Sequence, residues 1–201
     1  MTAFDVVQEW AGVQGPRHDL YIQHPGLVLR WLNQSQLRFV DKSECLKSTW
    51  TPSLDSSGYK SLPDDFLRIA GPLGVQWDTD EFLTKEDYAK LNGLTLTDTE
   101  HYAIHDGKFY VFAATSGTPV IVYIKKPEEL LLTNYLNSDL DIPEEYHQDL
   151  IVYMDAMYAR HMGDVAQYLI LLDKGDMKAK EAGLQVDYRT GPLPRTIARQ
   201  F

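Results

Sequence analysis

His101 and His105 stand four residues apart, a separation that on a helix puts two imidazoles on one face where they can share a metal ion. The surrounding residues read as strand instead, and no third ligand set is in view, so the pair is read as surface or cross-strand histidines. Asp78, Asp80 and Glu81 are spaced like the start of a calcium loop, but the glycine at the sixth position and the bidentate glutamate at the twelfth are missing. A solvated acidic turn is the reading that remains. Glu144, Glu145 and His147 can be drawn as an acid/base cluster, although acids in the first turn of a helix are what its dipole favours in any case. Cys45 is the single cysteine, so no intrachain disulfide is possible. With no histidine or basic residue immediately beside it, it reads as a buried, inert thiol. No GxSxG, phosphate loop, dinucleotide fingerprint or paired CxxC occurs. The expectation is a non-enzyme with no catalytic residue, no cofactor and no metal site.

Composition narrows the partners. The 201 residues carry 29 acidic against 19 basic side chains, a formal charge of −10 that repels a phosphate backbone and removes the basic footprint of a nucleic-acid binder. The same repulsion suits a surface that DNA slides past without sticking. The chain begins Met1-Thr2-Ala3-Phe4-Asp5, with an acid where a signal peptide wants a basic region, and no apolar run reaches the roughly 18 residues of a membrane span. A soluble protein that stays where it is made, with no membrane partner, is expected. Asn33-Gln34-Ser35 matches the glycosylation triplet, which carries no weight without a secretory signal.

The elements that must position these groups are α and β. Phe4, Val7, Trp10 and Ala11 follow Thr2 at helical spacing and predict a short helix ending near Gly12 to Gly15, with 17–25 a polar connection. Leu27, Val28, Trp31, Leu32, Ser35 and Phe39 place one stripe on a helix running to about Cys45, which should pack on the C-terminal helices. Prolines, serines and Gly58 predict extended chain and turns over 47–62, leading to a strand through Phe66 and Ile69. Thr84 reads as the cap of a short helix to Leu91, closed by Asn92 and Gly93. Tyr102, Ile104, Phe109 and Val111 alternate around Asp106 and Gly107, a dipeptide suited to a two-residue hairpin turn. Ile104 should therefore oppose Phe109, and Tyr102 should oppose Val111. A further turn at 115–117 leads to a strand from Val120 to Lys125, making an antiparallel meander of three or more strands.

The C-terminal third holds the strongest helix signal. Tyr146, Leu150, Tyr153, Met154, Met157, Tyr158 and His161 form a stripe after Pro143, Gly163 and Asp164 interrupt it, and a second helix through Val165, Tyr168, Leu169 and Leu172 ends near Gly183. This antiparallel pair, 142–183, is built for protein contacts; the stripe itself reads as the monomer's own core. Residues 184–201 carry Arg189, Arg195 and Arg199 against the single acid Asp187, together with Ile197 and Phe201. Arginine forks and apolar ends describe a docking peptide, and a solubilising tail remains the alternative.

Several segments, in order, resemble the head-to-tail adaptor (connector) proteins of tailed bacteriophages. They are Leu29-Arg30-Trp31-Leu32-Asn33-Gln34-Ser35-Gln36, Leu62-Pro63-Asp64-Asp65-Phe66-Leu67-Arg68-Ile69, the hairpin from Tyr102, the strand ending Lys125-Lys126-Pro127-Glu128, and above all Ile142-Pro143-Glu144-Glu145-Tyr146-His147-Gln148-Asp149-Leu150 with Arg160-His161-Met162-Gly163-Asp164. The resemblance covers 26–183 and leaves 1–25 outside. It implies an α+β fold: one adaptor domain over 1–183, with a helical bundle from 26–45 and 142–183, a β insertion at 60–126, and an extended C-terminal arm, 184–201. It also implies a homo-oligomeric ring, commonly a dodecamer, beneath the portal protein in the virion neck. Such a ring extends the DNA channel without sequence-specific binding and gives the tail or a stopper its platform. The arm that would dock on the portal offers Arg189, Arg195, Ile197, Arg199 and Phe201. Two other readings stay open: another neck or tail-completion protein, such as a tail terminator or stopper, and a small metal-dependent virion enzyme using His101, His105 and nearby acids.

Overall fold

Thr2 opens the first helix as a capping box: its hydroxyl accepts from the Asp5 amide at 3.3 Å, and the Asp5 carboxylate accepts from the Thr2 amide at 2.7 Å. The computed structural model describes residues 2–54, 58–71, 73–77, 81–91, 101–111 and 118–189. They fall into two units, one of 1–46 with 127–201 and one of 47–126. The architecture is mixed α and β, as expected: the first unit is helical and the second is mostly strand.

In the helical unit, α1 (Ala3–Ala11) buries Val6, Val7 and Trp10 and stops at Gly12, whose φ is 70°. α2 (Pro16–Gln23) then occupies the stretch read as a polar connection. Pro16 at its first position presets φ, but the helix buries only Tyr21, so no apolar periodicity announces it. α3 (Pro25–Ser43) is the expected long helix. Its buried set adds Leu29, Gln36, Val40 and Ser43 to the expected stripe, because helices pack on it from more than one side. Residues 127–141 fold back onto these helices. The Asn33 side chain grips Leu130 by both backbone groups, accepting from its amide at 3.0 Å and donating to its carbonyl at 2.9 Å, so the asparagine of the glycosylation triplet serves as a clamp.

A 3-10 turn over Glu144–Tyr146 leads from Pro143 into α5 (His147–His161). Gly163, with φ 81°, and Asp164, whose carboxylate accepts from the Gln167 amide at 2.9 Å, turn the chain into α6 (Val165–Arg189). The helical hairpin is present as expected, with Leu150, Tyr153 and Met154 buried and His161 exposed. α6 continues past Gly183, where its end was expected. Gly183 is there for contact: a Cβ at this position would lie 2.4 Å from the Ser43 carbonyl oxygen, so only glycine lets α6 touch the end of α3. Gly175 plays the same part against the Tyr153 ring, whose Cε1 would be 2.7 Å from an added Cβ.

The second unit contains β1 (Lys47–Trp50), β2 (Tyr59–Ser61), β3 (Phe66–Ile69), β4 (Val75–Trp77), β5 (Glu81–Phe82), β6 (Thr84–Lys85), α4 (Tyr88–Leu91), β7 (His101–His105), β8 (Lys108–Val111) and β9 (Val120–Lys125). The β7–β8 hairpin has the expected register, Ile104 opposite Phe109 and Tyr102 opposite Val111, with Asp106 and Gly107 at φ 48° and 68°. The strands do not continue as one antiparallel meander. β9 lies in a second sheet, antiparallel to β1, β3 and β4, while the hairpin is flanked by β2 and, in parallel, by β6. The reason is visible in β9 itself: Val120 to Ile124 is apolar at every position, and such a strand needs partners on both edges and cover on both faces. Residues from both sheets, among them Phe66, Trp77, Tyr102, Phe109, Ile121 and Tyr123, share one core. Thr84 belongs to β6 and not to a helix start; Asp87 starts α4 by accepting from the Ala89 amide at 2.9 Å. Asn92, Gly93 and the turn at 115–117 lie outside the described residues.

Alanine in place of a mid-helix glycine normally stabilises by roughly 0.5–1 kcal/mol. At Gly175 and Gly183 the close contacts reverse the sign. Gly175→Ala and Gly183→Ala each lower the stability of the full chain by about 1–3 kcal/mol in urea denaturation, and a gain at either position would contradict the close approach.

Candidate docking surfaces

Among the described residues, those whose spacing raised metal or acid/base chemistry are not brought together. His101 and His105 both lie on β7, so their Cα atoms are separated by roughly 13 Å of extended chain. His105 is exposed and stacks on Tyr88 with ring centroids 4.4 Å apart, while the His101 Nδ1 is buried without a hydrogen-bond partner. Among the described residues no three His, Cys, Asp or Glu side chains converge as a metal would require. Asp78 and Asp80 lie outside the described residues. Glu144 and Glu145 are exposed on the 3-10 turn, whereas His147 is buried with its Nε2 at 2.7 Å from the Ile142 carbonyl, a structural bond that fixes the entry to α5. Burial pushes the Cys45 thiol pKa up, against reactivity.

The helical unit presents a different kind of site. Met162, Val165, Leu169, Ile170, Met177 and Leu184 are each 52–64% exposed, and Ile170, Met177 and Leu184 recur every seven residues along α6. At about 100° per residue this row stands roughly 170° round the helix from the buried Gly175, Ala179 and Ala182. A second exposed apolar group, Leu131, Leu132 and Leu136, caps the fold-back segment. The sequence marks the helix pair for protein contacts without singling out this row of α6, and residues 131–136 carry no helical or strand period that would mark the second surface. Of the expected docking residues, Arg195, Ile197, Arg199 and Phe201 lie outside the described residues, as does the side chain of Arg189, which ends α6.

A polar clamp fixes the bearing of α6. Arg38 on α3 donates from Nε and Nη2 to the two Asp176 oxygens, both at 2.8 Å, and the Tyr153 hydroxyl donates to Asp176 at 2.9 Å. Burial works to raise the Asp176 pKa, but the bonds from Arg38 and Tyr153, with the Arg38 charge, outweigh it and hold the carboxylate below its ordinary 3.8. Burial, and then Asp176, pushes the Tyr153 hydroxyl upward. Asp155 on α5 shows the opposite balance. Trp10 Nε1 donates to it at 2.9 Å and Arg17 pairs with it at 2.6 Å, yet burial wins and its pKa rises.

A depressed carboxylate pKa adds stability that is complete above the unfolded value and is lost as pH falls through the folded one; a raised pKa acts in the reverse sense. Asp176→Asn therefore lowers stability at neutral pH by about 2–3 kcal/mol and flattens the loss of stability below pH 3.8. Asp155→Asn, which keeps an oxygen for Trp10, costs under about 1 kcal/mol at neutral pH. Urea titrations of both variants at neutral and acid pH check this ordering, and equal costs would contradict it.

A family model described as SU10 adaptor protein matches residues 2–193 of the chain. No curated protein matches it.

Proposed function

The chain belongs to the SU10 adaptor protein family, which makes it a bacteriophage head-to-tail adaptor and a structural protein of the virion, and on that premise we propose that it sits beneath the portal protein, extends the DNA channel and carries the tail or a stopper protein. The observation that carries the reading is the extent of the family match, which takes in both units and α1, α2 as well as the segments that resembled adaptors. The segment 1–25, outside the resemblance, is thereby an integral part of the adaptor: Trp10 of α1 packs edge-on against Trp31 of α3, and Arg17 of α2 pairs with Asp155 of α5.

In this reading several copies form a homo-oligomeric ring, a dodecamer where the portal is twelve-fold, built in the host cytoplasm and retained in the neck. The excess of ten acidic charges keeps DNA from adhering as it passes. Among the described residues no helix is long and apolar enough to cross a membrane. The arm continues directly from α6, so the clamp that orients α6 also aims the point from which Arg189, Arg195 and Arg199 depart toward carboxylates on the portal, with Ile197 and Phe201 filling apolar pockets.

Since α6 reaches Arg189, the truncation that tests the arm removes 190–201 and leaves the helix whole. The shortened chain should keep the circular dichroism and urea midpoint of the full chain and lose co-sedimentation with particles carrying the portal. Unchanged co-sedimentation would contradict the role of the arm.

A further inference from the structure

The two exposed apolar surfaces of the helical unit are separate and face different ways. The Leu131, Leu132 and Leu136 turn rests on one side of α3: Leu132 Cδ1 lies 3.5 Å from where a Gly26 Cβ would be, and Asn33 clamps Leu130. Gly26 and Asn33 are seven residues apart and therefore share a face. Arg38 and Ser43, which meet α6 at Asp176 and Gly183, straddle the face about 180° away, at about 100° per residue. On α6, Asp176 and Gly183 stand roughly 110° round the helix from the Ile170, Met177 and Leu184 row, so the row faces outward to one side of α3 and not toward the leucine turn.

We infer that these two surfaces meet between neighbouring copies: the α6 row of one copy seats on the 131–136 turn of the next. This rests on the ring proposed above and identifies the contact that would build it. Two unlike patches that face different ways are what a head-to-tail contact uses, whereas a two-fold contact needs one patch that matches itself. The edges agree with that choice. The turn is bordered by exposed Glu128 and Glu129, so turn against turn would set acids against acids; the α6 row is bordered by Lys174 and Lys180 as well as Asp173 and Glu181. Both patches are held by side chains of one helix, Asn33 for the turn and Arg38 for α6, so their relative bearing is set before copies meet.

The test uses full-length chains carrying Ile170→Asp with Met177→Asp, or Leu131→Asp with Leu132→Asp, all at exposed positions. Sedimentation velocity over a concentration series should show the unsubstituted chain reaching species beyond the dimer and each variant alone remaining monomeric with unchanged circular dichroism. An equimolar mixture of the two variants keeps one good copy of each surface and should stop at a one-to-one dimer. An unsubstituted chain that stays monomeric, a variant that assembles alone, or a mixture that stays monomeric overturns the contact. A second measurement replaces Cys45 with serine and adds Met177→Cys and Leu132→Cys together. Oxidation should give a ladder of covalent multimers, and either cysteine alone should give none; a dimer from Met177→Cys alone would instead mean a two-fold α6 contact. These readouts contain no portal, so a chain that binds portal particles but fails them loses only this contact. A chain that passes them without binding the portal loses the adaptor reading alone.

Discussion

Everything distinctive about the helical unit depends on how closely α3 and α6 approach. Two glycines remove the side chains that would hold α6 away, and one bidentate Arg38–Asp176 pair, backed by the Tyr153 hydroxyl, fixes its position once there. The arrangement is demanding because Asp176 sits where burial alone would favour its neutral form. The guanidinium and the phenol together outweigh burial and hold its pKa below the ordinary carboxylate value, so the three residues act as a unit. The consequence is directional: with its inner face committed to Ser43, Arg38 and Tyr153, α6 must turn its apolar row outward.

That outward row explains why so much apolar surface is tolerated on an otherwise acidic chain. A cluster of half-exposed Leu, Ile, Val and Met along one helix is an aggregation hazard in a monomer and an asset in an assembly. The excess of acids supplies general repulsion, which falls off beyond a Debye length of about 8 Å at physiological salt, leaving short-range contacts to decide pairing. The Trp10, Trp31 and Tyr158 cluster, with edge-on contacts near 6 Å, joins the N-terminal helices to the hairpin, so the portion of the chain outside the adaptor resemblance is structurally part of it.

The sequence was most legible where local chemistry decides local structure. The Thr2 cap, the Asp106–Gly107 turn with its register, and the Gly163–Asp164 break between the C-terminal helices all depend on residues within a few positions of one another. It was least legible where a distant partner decides. α2 buries one tyrosine and has no stripe to read; Gly183 reads as a helix stop until Ser43 is seen beside it; β9 reads as a hairpin's third strand until β1, β3 and β4 claim its edges. The metal and acid/base patterns dissolved for the same reason, since His101 and His105 are spread along a strand and His147 turns inward to a carbonyl. The exposed face of α6 was half legible: the helix pair reads as built for protein contacts, but Val165 and Leu169 satisfy helical periodicity whether they face a core or a neighbour.

The place of the chain in an assembled particle is the decisive observable. A reconstruction of the virion neck at a resolution that separates helices should show multiple copies of this chain in direct contact with the portal, with α6 leading toward it. A neck without the chain, or the chain found only elsewhere on the particle, would contradict its role as the adaptor beneath the portal.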